Sequence, residues 1–123
     1  MQKQFVEYFS SQRKGGLFLD IEEVLLSKKS QFQQVEFFRN SEFGVVLALD
    51  GYIQVTERDE FIYHEMLVHP GMLTHNNPES ILVIGGGDCG TISQVVKHQA
   101  PKAITMVEID QVVVEGAIKH LPN

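Results

Sequence analysis

The 123-residue sequence predicts an α/β chain: a small N-terminal antiparallel β domain followed by the start of a parallel, doubly wound α/β domain that stops short of a full sheet. Three features of the sequence predict this. Asp50-Gly51 stands between the apolar runs Val45–Leu49 and Tyr52–Thr56, and an Asp-Gly pair supplies the positive φ angles of a two-residue hairpin turn. The texture changes at "THNNPES", Thr74 to Ser80, a cluster of turn formers that divides a β-rich part with a short helix (1–74) from the rest (75–123). Beyond it, strand, helix, strand and helix alternate at the spacing of a βαβ unit, whose strands run parallel with a right-handed crossover.

In chain order, "LFLDIEEVLLSKKS" holds two short apolar runs able to pair with each other, and "FQQVEFF" is an aromatic and β-branched run suited to a strand. The Asp-Gly hairpin follows. In "DEFIYHEMLVHPGM", Phe61, Met66 and Leu67 stand among polar residues, and Pro70 is expected to end a short helix near Val68. Ile81–Ile84 and "AITMVEID" read as buried strands, as parallel strands usually are. Between them Ile92, Val95 and Val96 recur at helical spacing, with Pro101 as the stop. Val114, Ala117, Ile118 and Leu121 fall at i, i+3, i+4 and i+7 and predict a last amphipathic helix. Two parallel strands leave an open sheet edge and uncovered apolar surface. The chain is therefore expected to be the front part of something longer, or to be completed by a partner.

Composition removes several function classes. A net charge of −6 without a basic stripe argues against nucleic acid. The sequence has no apolar run of the roughly 18 residues a membrane span needs, and its start lacks the apolar stretch of a secretory signal. Cys89 is the single cysteine, so no internal disulfide can form, which suits a reducing, cytoplasmic setting.

The chemistry concentrates at "SILVIGGGDCGTISQVV". Gly85, Gly87 and Gly90 satisfy G-x-G-x-x-G between a strand and a helix, and Glu108 closes the next strand. In Rossmann-like domains such glycines permit a tight turn and close approach to a ligand, and the acid accepts hydrogen bonds from ribose hydroxyls. A dinucleotide would set its pyrophosphate at this helix start. Asp88 stands there instead, and its charge would repel a phosphate by several kcal/mol while attracting an amine. The expected ligand is a nucleoside with a cationic tail. The competing reading is that Asp88 only caps the helix.

Other candidates are weaker. His64, His69 and His75 lie close in sequence, but "HEMLVH" separates two of them by five positions, which puts them on different helix faces, and no metal site is expected. Phe32, Phe37, Phe38 and Phe43 read as core or interface, since no basic patch accompanies them. Asp59 and Glu60 sit in a charged run that is ordinarily a solvated turn. Cys89 at a helix start is either a reactive thiol of lowered pKa or a small residue tolerated in a loop, and the second is preferred. If its backbone needs a glycine-only conformation, the turn is strained.

"LALDGYIQVTERDEFIYHEM", followed by "ILVIGGGDCG" and "MVEID", resembles the spermidine synthases, or polyamine aminopropyltransferases, continuously from about Leu17 onward. The resemblance implies an S-adenosylmethionine-methyltransferase-like Rossmann domain. It also implies transfer of an aminopropyl group from decarboxylated S-adenosylmethionine to putrescine, with no further cofactor and no metal. By the same resemblance, Gln33 contacts the donor nucleoside, and Gly85, Gly86 and Gly87 form the turn beneath it. Asp88 holds the donor's amine and Glu108 its ribose hydroxyls, while Tyr63 and His64 line the acceptor amine site, Tyr63 assisting the chemistry. The charged run, with Asp59 and Glu60, borders the active site. The family's general-base aspartate lies in a D-S-S-D-P type segment that these 123 residues do not contain, so no catalytic residue is expected among them. Cys89 departs from the usual glycine or alanine. The resemblance further implies a homodimer or homotetramer. Two alternatives stay open: a nucleoside-binding or oligomerising fragment without turnover, and an S-adenosylmethionine-dependent methyltransferase, against which Asp88 argues.

Overall fold

A computed structural model describes residues 3–122. The chain forms two compact units, the first ending at Arg58 and the second beginning at Asp59, well ahead of the turn-rich stretch at Thr74 to Ser80.

The first unit is all β. Strands β1 (Lys3–Tyr8) and β2 (Gly16–Ile21) form one antiparallel pair. Strands β3 (Glu23–Lys29), β4 (Gln34–Asn40), β5 (Gly44–Leu49) and β6 (Tyr52–Thr56) form a four-stranded antiparallel meander. The expected hairpin is present: Leu49 faces Tyr52, with φ of 50° at Asp50 and 81° at Gly51. Both central residues are left-handed, as a type I′ turn requires. The expectation that the two apolar runs of "LFLDIEEVLLSKKS" pair with each other is not met. They become β2 and β3, separated only by Glu22, too little chain for a two-residue turn. β2 pairs instead with β1, a strand not read from "KQFVEY", and β3 pairs with β4.

Burial explains that choice. Phe5 of β1 stacks on Phe38 of β4 with ring centroids 5.1 Å apart, and with Val46 and Ala48 it forms a core lined by Leu19, Ile21, Phe43 and Ile53. An isolated two-stranded ribbon is marginal in water, so packing on the meander stabilises the β1–β2 pair. Asn40 fixes the β4–β5 turn, where its side-chain oxygen accepts from the N–H groups of Glu42 and Phe43, each at 3.0 Å.

The second unit is α/β. Helix α1 (Glu60–Thr74) packs on helix α2 (Gly90–Val95); strands β7 (Ser80–Ile84) and β8 (Ala103–Val107) pair in parallel; helix α3 (Gln111–His120) follows. Contrary to expectation, α1 runs through Pro70 to Thr74. Proline inside a helix removes one backbone hydrogen bond and costs about 3 kcal/mol. Here the next turn is held by His75 N–H to Gly71 O at 3.1 Å and by the Thr74 hydroxyl to Pro70 O at 2.8 Å.

The strands also depart from the sequence reading. Within β7 only Val83 is buried, and Ile84 and Val107 are exposed, so one face of the pair is open among the described residues. In α3 the buried residues are Val113, Gly116 and Ala117, with Leu121 just beyond, while Ile118 is exposed. The inner face is thus rotated towards Val113, whose side chain lies beside Gly87.

Candidate functional site

The chain leaves β7 at Ile84 and turns through Gly85 and Gly86, both left-handed with φ of 80° and 78°. These angles carry little cost in glycine, which has no Cβ to clash. Gly85 N–H donates to Val107 O at 2.8 Å, tying the turn to the end of β8, and Cys89 N–H closes it on Gly86 O at 2.9 Å.

Gly87 serves a neighbouring side chain. A Cβ there would stand 2.9 Å from Glu108 Cγ and 3.0 Å from both Glu108 Oε2 and Val113 Cγ1. Glu108 uses this closeness: Oε2 accepts from Gly87 N–H at 3.0 Å and Oε1 from Asp110 N–H at 3.0 Å. Each carboxylate oxygen has two acceptor sites, so capacity remains for a ligand's hydroxyls. Asp110, which sequence reading passed over, is almost fully buried and caps α3 by accepting from Val112 N–H at 3.1 Å. An Asp directly ahead of an apolar periodic run is the signal that marks such a cap.

Asp88 holds the helix start, as the capping reading expected, and the same oxygen faces His64. Its Oδ1 accepts from Gly90 N–H at 2.7 Å, anchoring the start of α2, and lies 3.1 Å from His64 Nε2. Burial is the largest influence on this carboxyl and raises its pKa; the His64 contact and the Gly90 N–H together outweigh it and hold the group below the usual carboxylate range. Asp88 is therefore charged at neutral pH.

His64 is 1% exposed and reaches Asp88 from α1. Its Nδ1 contacts Glu60, one turn earlier on the same helix. Burial acts most strongly and lowers its pKa, but Asp88 and Glu60 override it, leaving the imidazole above its ordinary value. The ring lies directly against Gly90, where a Cβ would overlap it. Tyr63 is exposed, its ring edge-on to His64 at 5.1 Å and 72°. The other two histidines have separate partners: His69 Nδ1 is 2.9 Å from His98 Nε2, and His75 Nδ1 accepts from Asn77 N–H at 3.0 Å. Gln33 belongs to the first unit, half-buried in the β3–β4 turn, where Ser30 Oγ accepts its N–H at 3.0 Å.

Cys89 stands in the left-handed region with φ of 68°, the strained alternative foreseen from sequence. Burial first, then the Asp88 charge, push its thiol up, which leaves it protonated and a poor nucleophile.

The second unit thus brings Tyr63, His64, Glu60, the glycine turn and Asp88 together, with Glu108 tied to the far side of the turn. A parallel strand–turn–helix–strand opening with an acid at the second strand's end defines the class: a Rossmann-like α/β domain, preceded here by an antiparallel β unit. Residues 60–123 match the family described as spermine/spermidine synthase domain, residues 5–57 match the spermidine synthase tetramerisation domain, and the chain belongs to the spermidine synthase family.

Among curated relatives, the polyamine aminopropyltransferase of Thermotoga maritima is 44% identical over 117 residues, covering 95% of this chain and 39% of its own length. That of Pectobacterium atrosepticum is 44% identical over 123 residues, covering 100% and 43%. A crystal structure of spermidine synthase in complex with the transition state analogue AdoDATO superposes with a TM-score of 0.90 at 41% identity, covering 97% of this chain and 41% of that one. The chain spans about two fifths of the length of these relatives.

Proposed function

We propose that this chain contributes the donor site and one wall of the acceptor site of a polyamine aminopropyltransferase. That enzyme moves the aminopropyl group of decarboxylated S-adenosylmethionine to putrescine, giving spermidine and methylthioadenosine. The observation that carries the reading is Asp88: a half-buried carboxylate, held below the usual carboxylate range and fixed immediately behind the glycine turn. An anionic tail would be repelled there and a cationic one held.

The roles follow. Asp88 binds the donor's amine, Glu108 receives its ribose hydroxyls, Gln33 contacts the nucleoside, and Gly85, Gly86 and Gly87 leave room for it. His64 and Tyr63 line the acceptor amine site. In the reaction the neutral amine nitrogen attacks the carbon beside the sulfonium. The C–N bond forms as the C–S bond breaks, and the electron pair goes to sulfur. Alkylamines have pKa values of about 10.4, so a general base must take the proton, and Tyr63 assists in positioning the amine. The base belongs on the D-S-S-D-P type segment, not among these residues. No metal or separate cofactor takes part. A homodimer or homotetramer fits the tetramerisation-domain match of the first unit, and the cytoplasm is its proposed setting.

A nucleoside-binding portion that does not turn over alone is the second reading, favoured by the coverage of two fifths. Measured aminopropyl transfer by this polypeptide alone would exclude it. Calorimetry tests the principal reading. Decarboxylated S-adenosylmethionine should bind more tightly than the carboxylated form, and the reverse order would point to a methyltransferase.

A further inference from the structure

His64 has a carboxylate at each ring nitrogen: Glu60 at Nδ1, and Asp88 Oδ1 3.1 Å from Nε2. The side chains of His64, Glu60 and Asp88 are 1%, 12% and 17% exposed. A neutral imidazole has one N–H and one lone pair, so either tautomer turns a lone pair towards a carboxylate. Only the imidazolium presents a proton to both. The ring is also wedged, because Gly90 leaves it only the space of a missing Cβ. Nε2 is near Asp88 without being aligned for a hydrogen bond, and it is a buried polar atom with no such partner among the described residues.

We propose that Glu60 is a positioning residue for this site: through His64 it fixes Asp88 and sets the charge the pocket presents to a ligand's cationic arm. This rests on the reading that Asp88 receives an amine. The titratable groups around His64 are Glu60 and Tyr63 from α1 and Asp88 from the turn, with Cys89 adjoining Asp88. Of these, the two carboxylates act on its charge. With His64 protonated the cluster of two carboxylates and one imidazolium carries one net negative charge; with His64 neutral it carries two. An ammonium arriving at Asp88 is repelled by the imidazolium, so its binding favours loss of the His64 proton. Glu60 opposes that loss and sets the pH at which it happens.

The test uses the full chain, with NMR titration of His64 and calorimetry in two buffers of different ionisation enthalpy. Decarboxylated S-adenosylmethionine carries the amine, and methylthioadenosine lacks it. Below the His64 midpoint, the first probe should release protons on binding and the second none. E60Q should lower the His64 midpoint and carry the pH dependence of amine-probe affinity down with it, abolishing proton release at the original pH. Glu60→Asp, which keeps the charge one methylene further away, should lower the midpoint less. An unmoved midpoint in E60Q, equal effects of the two substitutions, or equal loss of both probes with proton release unchanged would overturn the proposal. If neither probe binds the unsubstituted chain, the amine-site reading fails, and the His64 midpoint alone then decides what Glu60 does.

Discussion

Replacing Cys89 by glycine should stabilise the second unit, although it removes a half-buried side chain. The backbone there has φ of 68° and ψ of 0°, and no side-chain cap hydrogen bond compensates for it. A left-handed conformation costs a residue with a Cβ roughly 1–2 kcal/mol. Glycine escapes that cost but loses more chain entropy on folding, about 0.5–1 kcal/mol. The thiol's one polar contact, Sγ to Gly87 O at 3.7 Å, is weak and its loss is small. The balance is a gain centred on about 0.75 kcal/mol, within a range of about 0–1.5, visible as a higher urea midpoint with an unchanged slope. Cys89→Ala is the control, because it removes the sulfur and keeps the Cβ, and it should gain nothing. The reasoning fails if the glycine variant is no more stable than the parent, or if the alanine variant gains as much.

Gly90→Ala should destabilise the same unit by about 2–3 kcal/mol, the upper range for overpacking, since the new Cβ falls within the His64 ring; a urea midpoint within error of the parent would contradict that packing. Stability should also depend on pH in both directions. His64 is raised above its ordinary 6.5, so its contribution is complete below about pH 6.5 and is lost as pH rises through the raised value. Asp88 is lowered from its ordinary 3.8, so its contribution is complete above about pH 4 and is lost as pH falls through the lowered value. Urea midpoints should therefore peak between about pH 4 and 6.5, and a midpoint that rises from pH 6.5 to 8.5 would refute the assignment.

What could be read from the sequence was what local chemistry decides. Asp50-Gly51 has few alternatives to a tight hairpin, and the glycine turn between an apolar run and a helix is equally constrained. What escaped was set by distant partners. Lys3–Tyr8 becomes a strand because Phe5 finds Phe38, over thirty residues away, and its six residues carry no turn signal of their own. Pro70 is a sound stop signal overruled by its surroundings. The inner face of α3 follows from where Val113 meets Gly87, a register that a period of 3.6 residues does not settle by itself. His64 shows the limit most clearly, since spacing can assign only one of the two carboxylates that hold it. Glu60 is a helical i, i+4 neighbour, but Asp88 arrives from another element.

The glycine motif, read from sequence as room for a ligand, has a second cause in the folded chain. Gly85 and Gly86 are glycines because of their backbone angles. Gly87 and Gly90 are glycines because protein side chains fill the missing Cβ space: Glu108 and Val113 against one, the His64 ring against the other. These are two of the acids and bases on which the proposed chemistry depends. The close approach that glycine permits thus brings Glu108 from just beyond β8 and His64 from α1 onto one turn, where Asp88 already stands. A substitution at either glycine would disturb the electrostatics before it obstructed any ligand. In this site the loop positions charge, and in the proposed reading that charge selects what binds.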